Sequence, residues 1–346
     1  MECCCKKKRE YWITGSVETP AGKFPRIGTR LTFRDELGAL KVRFAIGRMG
    51  YTVPPGLYAV GEPTPESPVF VTANYKLTFD YLRCALGGTH GWILVLDTKG
   101  INVWCAAGKG TFGTAEIVNR VRQTQLDRIV AHRKLIVPQL GAPGVSAHEV
   151  QKLCDFQVIY GPVRAEDLPA FLEANFKTTP EMRRVNFTIH DRIAVIPVEL
   201  VIWFKQALGL AVLITLLSGI SRHGFSLAAA PRAFGVVYTG WLAGGALVPI
   251  LLPWLPGRAF SIKGLWAALA LWPFLSTFGF LGTSPTERIG WGLLLASIVS
   301  FMALNFTGTS TYTSMSGVKK EMKIAIPLQL IAAVAGIAGL LVGGWK

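Results

Sequence analysis

Charge is scarce in this chain, and paired cysteine is absent. Charged residues make up 16% of it against 51% hydrophobic ones, a balance too apolar for an average soluble protein. Six cysteines stand at positions 3, 4, 5, 84, 105 and 154, and none forms a C-x-x-C pair. The usual sequence basis for a zinc site or an iron–sulfur cluster is therefore missing. His90, His132, His148 and His190 show no metal-ligand spacing and read as surface or helix-end residues. Met1–Glu10 is charged and has no apolar stretch, so no secretory signal is read there. The first half is accordingly expected in the reducing cytoplasm, with its thiols free. The net charge is +15, yet no basic stripe with interleaved aromatics occurs. Nucleic acid is excluded as a partner on that ground, and basic loops at a lipid surface account for the charge.

What the chain does have is length without charge. From Leu200 onward it holds 10 Lys+Arg and 2 Asp+Glu. The uncharged stretches there include 25 residues between Arg232 and Arg258, 23 between Lys263 and Glu287, 30 between Arg288 and Lys319, and 22 between Lys323 and Lys346. A hydrocarbon core about 30 Å thick takes roughly 20 helical residues to cross. Five spans are expected, at about 200–221, 233–256, 264–285, 289–306 and 324–345, with Asn305–Val318 as a Ser/Thr-rich loop. Stretches such as Leu208–Leu217 lack the polar stripe of a soluble helix. This half has no cysteine, one histidine (His223) and no buried carboxylate, which argues against metal or proton transport and for anchoring. The expected location is the cytoplasmic membrane, multi-pass, with the N-terminal domain in the cytoplasm. Arg258, Lys263, Lys319, Lys320 and Lys323 then fall in inner loops, and Lys205 lies near the cytoplasmic end of the first span.

The first half divides at its prolines. Residues 1–66 read as short strands and turns, with a hairpin signal where Arg30–Arg34 and Ala39–Ile46 flank Asp35–Gly38. Pro54, Pro55, Pro63, Pro65 and Pro68 then make a stiff connector. Over 67–190 short apolar strands alternate with helical stretches: Val69–Thr72, Tyr75–Leu86, Trp92–Leu96, Thr114–Gln123, Leu135–Val137, Ser146–Leu153, Gln157–Tyr160 and Ala165–Asn175. Such alternation predicts an α/β, Rossmann-like domain with a doubly wound parallel sheet over 1–196, followed by an all-α five-helix transmembrane domain over 197–346. Ligands of these sheets sit beyond the carboxyl ends of the strands.

One connection there is long. Asp97–Thr114 contains Gly108, Gly110 and Gly113, which allow backbone to approach a flat or anionic ligand closely. It is not a phosphate-binding P-loop, because Val103 and Gly110 occupy the positions that need Gly and Ser/Thr. Cys105 within it reads either as a small buried apolar side chain or as a reactive thiol. One helical turn over Ala106–Lys109 would set Cys105 at its N-terminus with Lys109 one turn on, both favouring the thiolate. Cys84 and Cys154 lie on helical stretches and read as core. Cys3-Cys4-Cys5 before Lys6–Arg9 is open to soft-metal binding, to membrane attachment by acylation and charge, or to a disordered tail.

The stretch Asn102-Val-Trp-Cys-Ala-Ala-Gly-Lys109 resembles the signature of the mercury-methylating corrinoid protein family. The resemblance extends through Pro138–Gly144, Tyr160–Arg164, Thr179–Arg184 and Asn305–Lys320, nearly the whole chain. It implies a corrinoid domain like that of the corrinoid iron–sulfur protein, fused to five membrane spans. It also implies cobalamin as cofactor, Cys105 as the lower axial ligand of cobalt, and methyl transfer from cobalt to Hg(II). The D-x-H-x-x-G motif of histidine-ligated cobalamin proteins is absent; His90 follows Gly88, not Asp. The cradle is expected at Thr72, Asn74, Asn102, Val103, Trp104, Cys105, Ala106, Ala107, Gly108, Lys109, Gly110, Gly141, Ala142, Pro143 and Gly144, on loops following successive strands. Formally the transfer needs a methyl carbanion, and a thiolate donating to cobalt would stabilise the Co(III) left behind. Return to Co(I) would need a low-potential donor, implied to be a ferredoxin-like protein with two 4Fe–4S clusters. Methyltetrahydrofolate or its methyltransferase is the implied methyl source. Two alternatives remain: a corrinoid methyl carrier with another acceptor, and a membrane receptor or transporter that binds corrinoid as a ligand. The loop Asn305–Lys323 is further expected to dock the soluble domain or the ferredoxin.

Overall fold

The computed structural model describes residues 10–221, 224–308 and 315–344. Cys3–Cys5, Arg222, His223 and 309–314 lie outside the described residues, and with them the readings placed on the N-terminal cysteines and on most of the Ser/Thr-rich loop. The chain divides into two compact units, Met1–Val42 with Ile46–Val185, and Arg43–Ala45 with Asn186–Lys346.

The first unit is built on a seven-stranded sheet in the order β1-β2-β3-β5-β4-β6-β7. A hairpin opens it, β1 (Ile13–Thr19) against β2 (Gly22–Ile27). It continues through β3 (Gly56–Val60), β4 (Val69–Ala73), β5 (Gly91–Leu96), β6 (Lys134–Val137) and β7 (Gln157–Tyr160). The four strands β5-β4-β6-β7 are mutually parallel, β2 is parallel to β3, and β3 is antiparallel to β5. The sheet is thus mixed but dominated by parallel pairs. All residues of β4 and β5 are buried, which explains why they read as unbroken apolar runs rather than alternating ones.

Side chains two apart on these strands serve two separate cores. Val69, Val71, Ala73, Trp92, Leu94 and Leu96 pack against α3 (Val103–Lys109), α4 (Thr114–Thr124) and α5 (Ala147–Cys154). On the opposite face Phe70, Ile93, Val95 and Ile136 pack with Phe79 and Leu82 of α2 (Lys76–Ala85) and Phe171 of α6 (Leu168–Glu173). From β4 the chain crosses to β5 by one face and returns past β4 to β6 by the other. β4 therefore marks a topological switch, where connections leave in opposite directions and open a crevice.

Two expectations for 1–66 are corrected. The hairpin signal at Arg30–Ile46 is instead the helix α1 (Phe33–Arg43). Thr32 starts it: its backbone N–H and hydroxyl both donate to Asp35 Oδ2, at 2.8 and 2.9 Å, a local arrangement that favours a helix N-terminus. The proline connector also holds a strand, since β3 fits between Pro55 and Pro63 and pairs with β5 throughout its length.

The second unit is helical. Four of its segments are long and apolar enough to cross a membrane: Ile189–Ser218, Leu227–Leu251, Pro285–Gly308 and Gly317–Gly343. They correspond to helix α7 (Ile189–Ser218), the run α8 (Ala230–Leu242) through a π-helical turn into α9 (Val248–Leu251), α11 (Pro285–Asn305) and α12 (Met315–Gly344). The third expected span, 264–285, is α10 (Phe260–Thr277), whose 18 residues stop short of the expected end and are not among the four. Four apolar segments, not five, are therefore established by length and composition. α7 begins well before residue 200 because Thr188 and Asp191 form a capping box there. Lys205 thus lies near the middle of α7 and not at its end. α12 likewise begins at Met315, so the expected loop through Val318 is helical in its last part.

Candidate functional site

The crevice beyond the parallel strands is framed by the connections after β4, β5 and β6. Asn74, just past β4, is buried, and its side chain organises the connection after β5. Its Oδ1 accepts from Thr98 N (3.1 Å), Thr98 Oγ1 (2.8 Å) and Gly100 N (3.0 Å), while its Nδ2 donates to Asp97 Oδ1 (3.3 Å). Every polar atom of the Asn74 amide is used inside the protein. Thr72 is buried within β4. These two expected cradle residues therefore sit behind the crevice.

The pinned connection leads into α3. Asn102 caps the helix, its Oδ1 accepting from the backbone N–H of Cys105 at 2.9 Å. The helix thus starts at Val103, not at Ala106, and Cys105 lies inside its first turn. Helical periodicity does the sorting. Val103, Ala106 and Ala107 are buried against the sheet, whereas Trp104 and Cys105 are half-buried and Gly108 and Lys109 exposed on the other side. Gly110 closes the helix in the left-handed conformation, φ 79°.

The glycines of the crevice have two different roles. A Cβ on Gly108 would meet nothing within 4 Å, so the surface beside Cys105 is open. A Cβ on Gly141 would fall 2.4 Å from the Phe112 ring, and one on Gly144 would fall 2.2 Å from Phe112 O and 3.1 Å from Ala107 Cα. Glycine at 141 and 144 lets the short 3-10 turn Gln139–Gly144 pack directly on the end of α3. Ala142 is half-buried and Pro143 exposed on that turn. Beside them Gln139 Oε1 is buried without a hydrogen-bond partner among the described residues.

The electrostatic setting of Cys105 adds burial to the local charges. Burial pushes the thiol above its ordinary value, and nearby Lys109 and Arg48, with the Asn102 hydrogen bond, offset this only in part. Burial therefore favours the thiol in the free side chain, and a bound metal would favour the thiolate. Arg48 went unnoticed in the sequence because it is 57 residues away along the chain. A correction concerns Cys84, expected in the core: it is exposed on α2. Cys154 is half-buried against the core and donates to Val150 O at 3.2 Å. No group of three or more His, Cys, Asp or Glu side chains that could hold a metal ion occurs among the described residues. His90 accepts from Glu62 N, His132 bonds Ser67 O and Lys134 N, and His148 bonds Ser146 Oγ. Each imidazole of the first unit thus has at least one ring nitrogen in a hydrogen bond.

Behind the crevice lies a buried charge network that joins α1 to α2. Lys76 Nζ is 2.6 Å from both Asp35 Oδ1 and Asp80 Oδ2, and Arg83 reaches Asp35 Oδ2 (2.9 Å) and Asp80 Oδ1 (2.7 Å). Arg83 also donates to the carbonyls of Gly28 and Arg30. Two cations face two carboxylates, all nearly fully buried, so the charges balance. The network fixes the start of α2 directly after Asn74.

Comparison with known proteins bears on this same unit. Residues 39–172 match the family model described as CO dehydrogenase/acetyl-CoA synthase delta subunit. The acetyl-CoA decarbonylase/synthase complex subunit gamma of Archaeoglobus fulgidus is 34% identical over 126 residues, covering 36% of this chain and 26% of that protein. Its counterpart from Methanopyrus kandleri is 32% identical over 126 residues, covering 35% and 26%. The corrinoid/iron–sulfur protein large subunit of Moorella thermoacetica is 31% identical over 121 residues, covering 34% and 27%. The chain spans about a quarter of the length of these relatives.

Proposed function

We propose that the first unit holds a cobalamin at α3, with Cys105 as the lower ligand of its cobalt, and that the protein transfers a methyl group to Hg(II), forming methylmercury. The observation that carries the reading is the placement of Cys105: a half-buried thiol on the open side of a capped helix, at the sheet edge where ligands of doubly wound folds bind. The match of residues 39–172 to the CO dehydrogenase/acetyl-CoA synthase delta subunit model, and the 31% identity over 121 residues to the corrinoid/iron–sulfur protein large subunit, support the cofactor.

The residues fit the group. A flat macrocycle needs an open surface, and Gly108 and Gly110 leave one beside Cys105. The unpartnered Gln139 Oε1 is an acceptor suited to the amide side chains of a corrinoid rim. Trp104, Lys109, Ala142 and Pro143 border the same surface, and Val103, Ala106, Ala107, Gly141 and Gly144 hold α3 in place beneath it. When bound, cobalamin supplies a cobalt-held methyl group. Asn102 fixes the turn that presents Cys105, and Asn74 fixes the connection that delivers Asn102. Lys109 and Arg48 supply positive charge that favours a thiolate once the metal has displaced the proton.

The helical unit anchors the domain in the cytoplasmic membrane, with α10 as a fifth span and the first unit on the cytoplasmic side. A ferredoxin-like protein with two 4Fe–4S clusters is the proposed reductant, and methyltetrahydrofolate or its methyltransferase the proposed methyl source. The test is methylmercury formation by the purified chain with that ferredoxin and methylcobalamin. Cys105→Ala is expected to abolish it and to change the corrinoid absorption spectrum. Wild-type activity with an unchanged spectrum in that variant would overturn the reading. Methyl transfer to other acceptors but never to Hg(II) would keep the site and remove mercury as its substrate.

A further inference from the structure

The helical unit contains a cleft of about 1100 Å³ between α10, α11 and α12. It is larger than the pockets of roughly 300–1000 Å³ that serve small molecules. Most of its wall is aliphatic, including Ile262, Leu265, Leu293, Ile324 and Leu328. Two features set it apart from an ordinary furrow between helices.

The first is at one end, where Arg258 and Lys320 line the cleft and are exposed. Among the described residues, neither has a carboxylate within ion-pair distance. Glu321 also lines this end, with its Oε1 held by the backbone N–H of Ser261 at 2.7 Å, so two cations stand against one engaged carboxylate. The second feature lies deeper. Gln329 is 7% exposed, donates from Nε2 to Ser300 Oγ at 2.8 Å, and has no partner for Oε1. With the amide turned the other way, the unpartnered atom would be Nε2, so one polar atom is left over in either orientation. An unsatisfied polar group among apolar helices is costly, so the leftover atom of Gln329 is open to a polar partner. Nine residues separate Lys320 from Gln329, about 14 Å along the helix axis.

We infer that this cleft binds an anionic amphipath, an acidic phospholipid whose phosphate sits at Arg258 and Lys320. Its acyl chains follow the aliphatic wall, and polar atoms of its glycerol backbone reach toward the Ser300–Gln329 pair. The inference rests on the apolar helices of the second unit and is independent of the corrinoid reading.

The test uses the full chain, purified and delipidated in an uncharged detergent. Phosphatidylglycerol, phosphatidylcholine with the same acyl chains, and inorganic phosphate are each added. Native mass spectrometry counts retained lipid, and the melting temperature is followed in parallel. Phosphatidylglycerol is expected to be retained at least tenfold more strongly than phosphatidylcholine and to raise the melting temperature. Inorganic phosphate should do neither. The double variant Arg258→Gln, Lys320→Gln should lose the preference, and Gln329→Leu should reduce retention of phosphatidylglycerol. Equal retention of the two lipids, or a preference that survives in the double variant, would overturn the site. Displacement of phosphatidylglycerol by an equal concentration of inorganic phosphate would overturn the role of the acyl chains. The comparison of the two lipids on the unsubstituted protein decides the matter even where a variant fails to fold.

Discussion

The Asn102 side chain holds the backbone N–H of Cys105 at 2.9 Å, so the residue three before the thiol sets the turn that presents it. One hydrogen bond thereby ties helix stability to the position of the candidate ligand. Asn102→Ala should lower stability by about 1 kcal/mol, the usual worth of an N-cap, and Asn102→Asp should restore it. Thermal unfolding of the two variants checks this, and corrinoid binding by Asn102→Ala should fall in parallel.

Asn74 offers a stronger test, because three donors converge on its Oδ1. Asn74→Leu would leave them buried without an acceptor, at about 1–3 kcal/mol each where water cannot replace it. A loss of at least about 3 kcal/mol is expected. Asn74→Asp combined with Asp97→Asn, which keeps the acceptor and reverses the hydrogen bond between the two side chains, should lose much less. Equal losses would show that only volume matters at this position.

Asp35 governs the acid limit of the first unit. Burial alone would raise its pKa, but hydrogen bonds from Lys76, Tyr11 and Thr32 outweigh burial and hold it well below the usual carboxylate range. A depressed pKa adds stability that is complete above the unfolded value of about 3.9 and is lost as pH falls toward the folded one. The melting temperature should therefore be insensitive to Asp35 from pH 5 upward and fall steeply below pH 4. In Asp35→Asn, Lys76 and Arg83 lose a partner, which should cost about 3–5 kcal/mol at neutral pH and flatten that acid slope.

The two kinds of glycine should respond in opposite ways. Gly144→Ala places a Cβ 2.2 Å from a backbone oxygen and should destabilise the unit by at least about 2 kcal/mol. At Gly108 an added Cβ meets nothing within 4 Å, so Gly108→Val should fold with a cost of about 1 kcal/mol or less, while its corrinoid occupancy drops. Full occupancy in Gly108→Val would show that the cofactor does not approach α3 from that side.

The local pattern of the sequence determined the parallel strands, the helices between them and the apolar character of the C-terminal half. β4 and β5 are buried on both faces, and a strand so placed is unbroken in its hydrophobicity. Cys105 stood out by the residues around it. Tertiary structure decided what depends on distant partners. Whether Arg30–Ile46 forms a hairpin or a helix turns on Asp35, whose carboxylate is stabilised by Lys76 and Arg83 some forty to fifty residues away. β3 lies among prolines, and only its pairing with β5 makes it a strand. Asn74 resembles a ligand-facing residue until Thr98 and Gly100 fold onto its amide. The same holds for the protonation of Cys105, because burial is a property of the packed chain, and here it outweighs both Lys109, which local reading places beside the thiol, and Arg48, which only folding brings there.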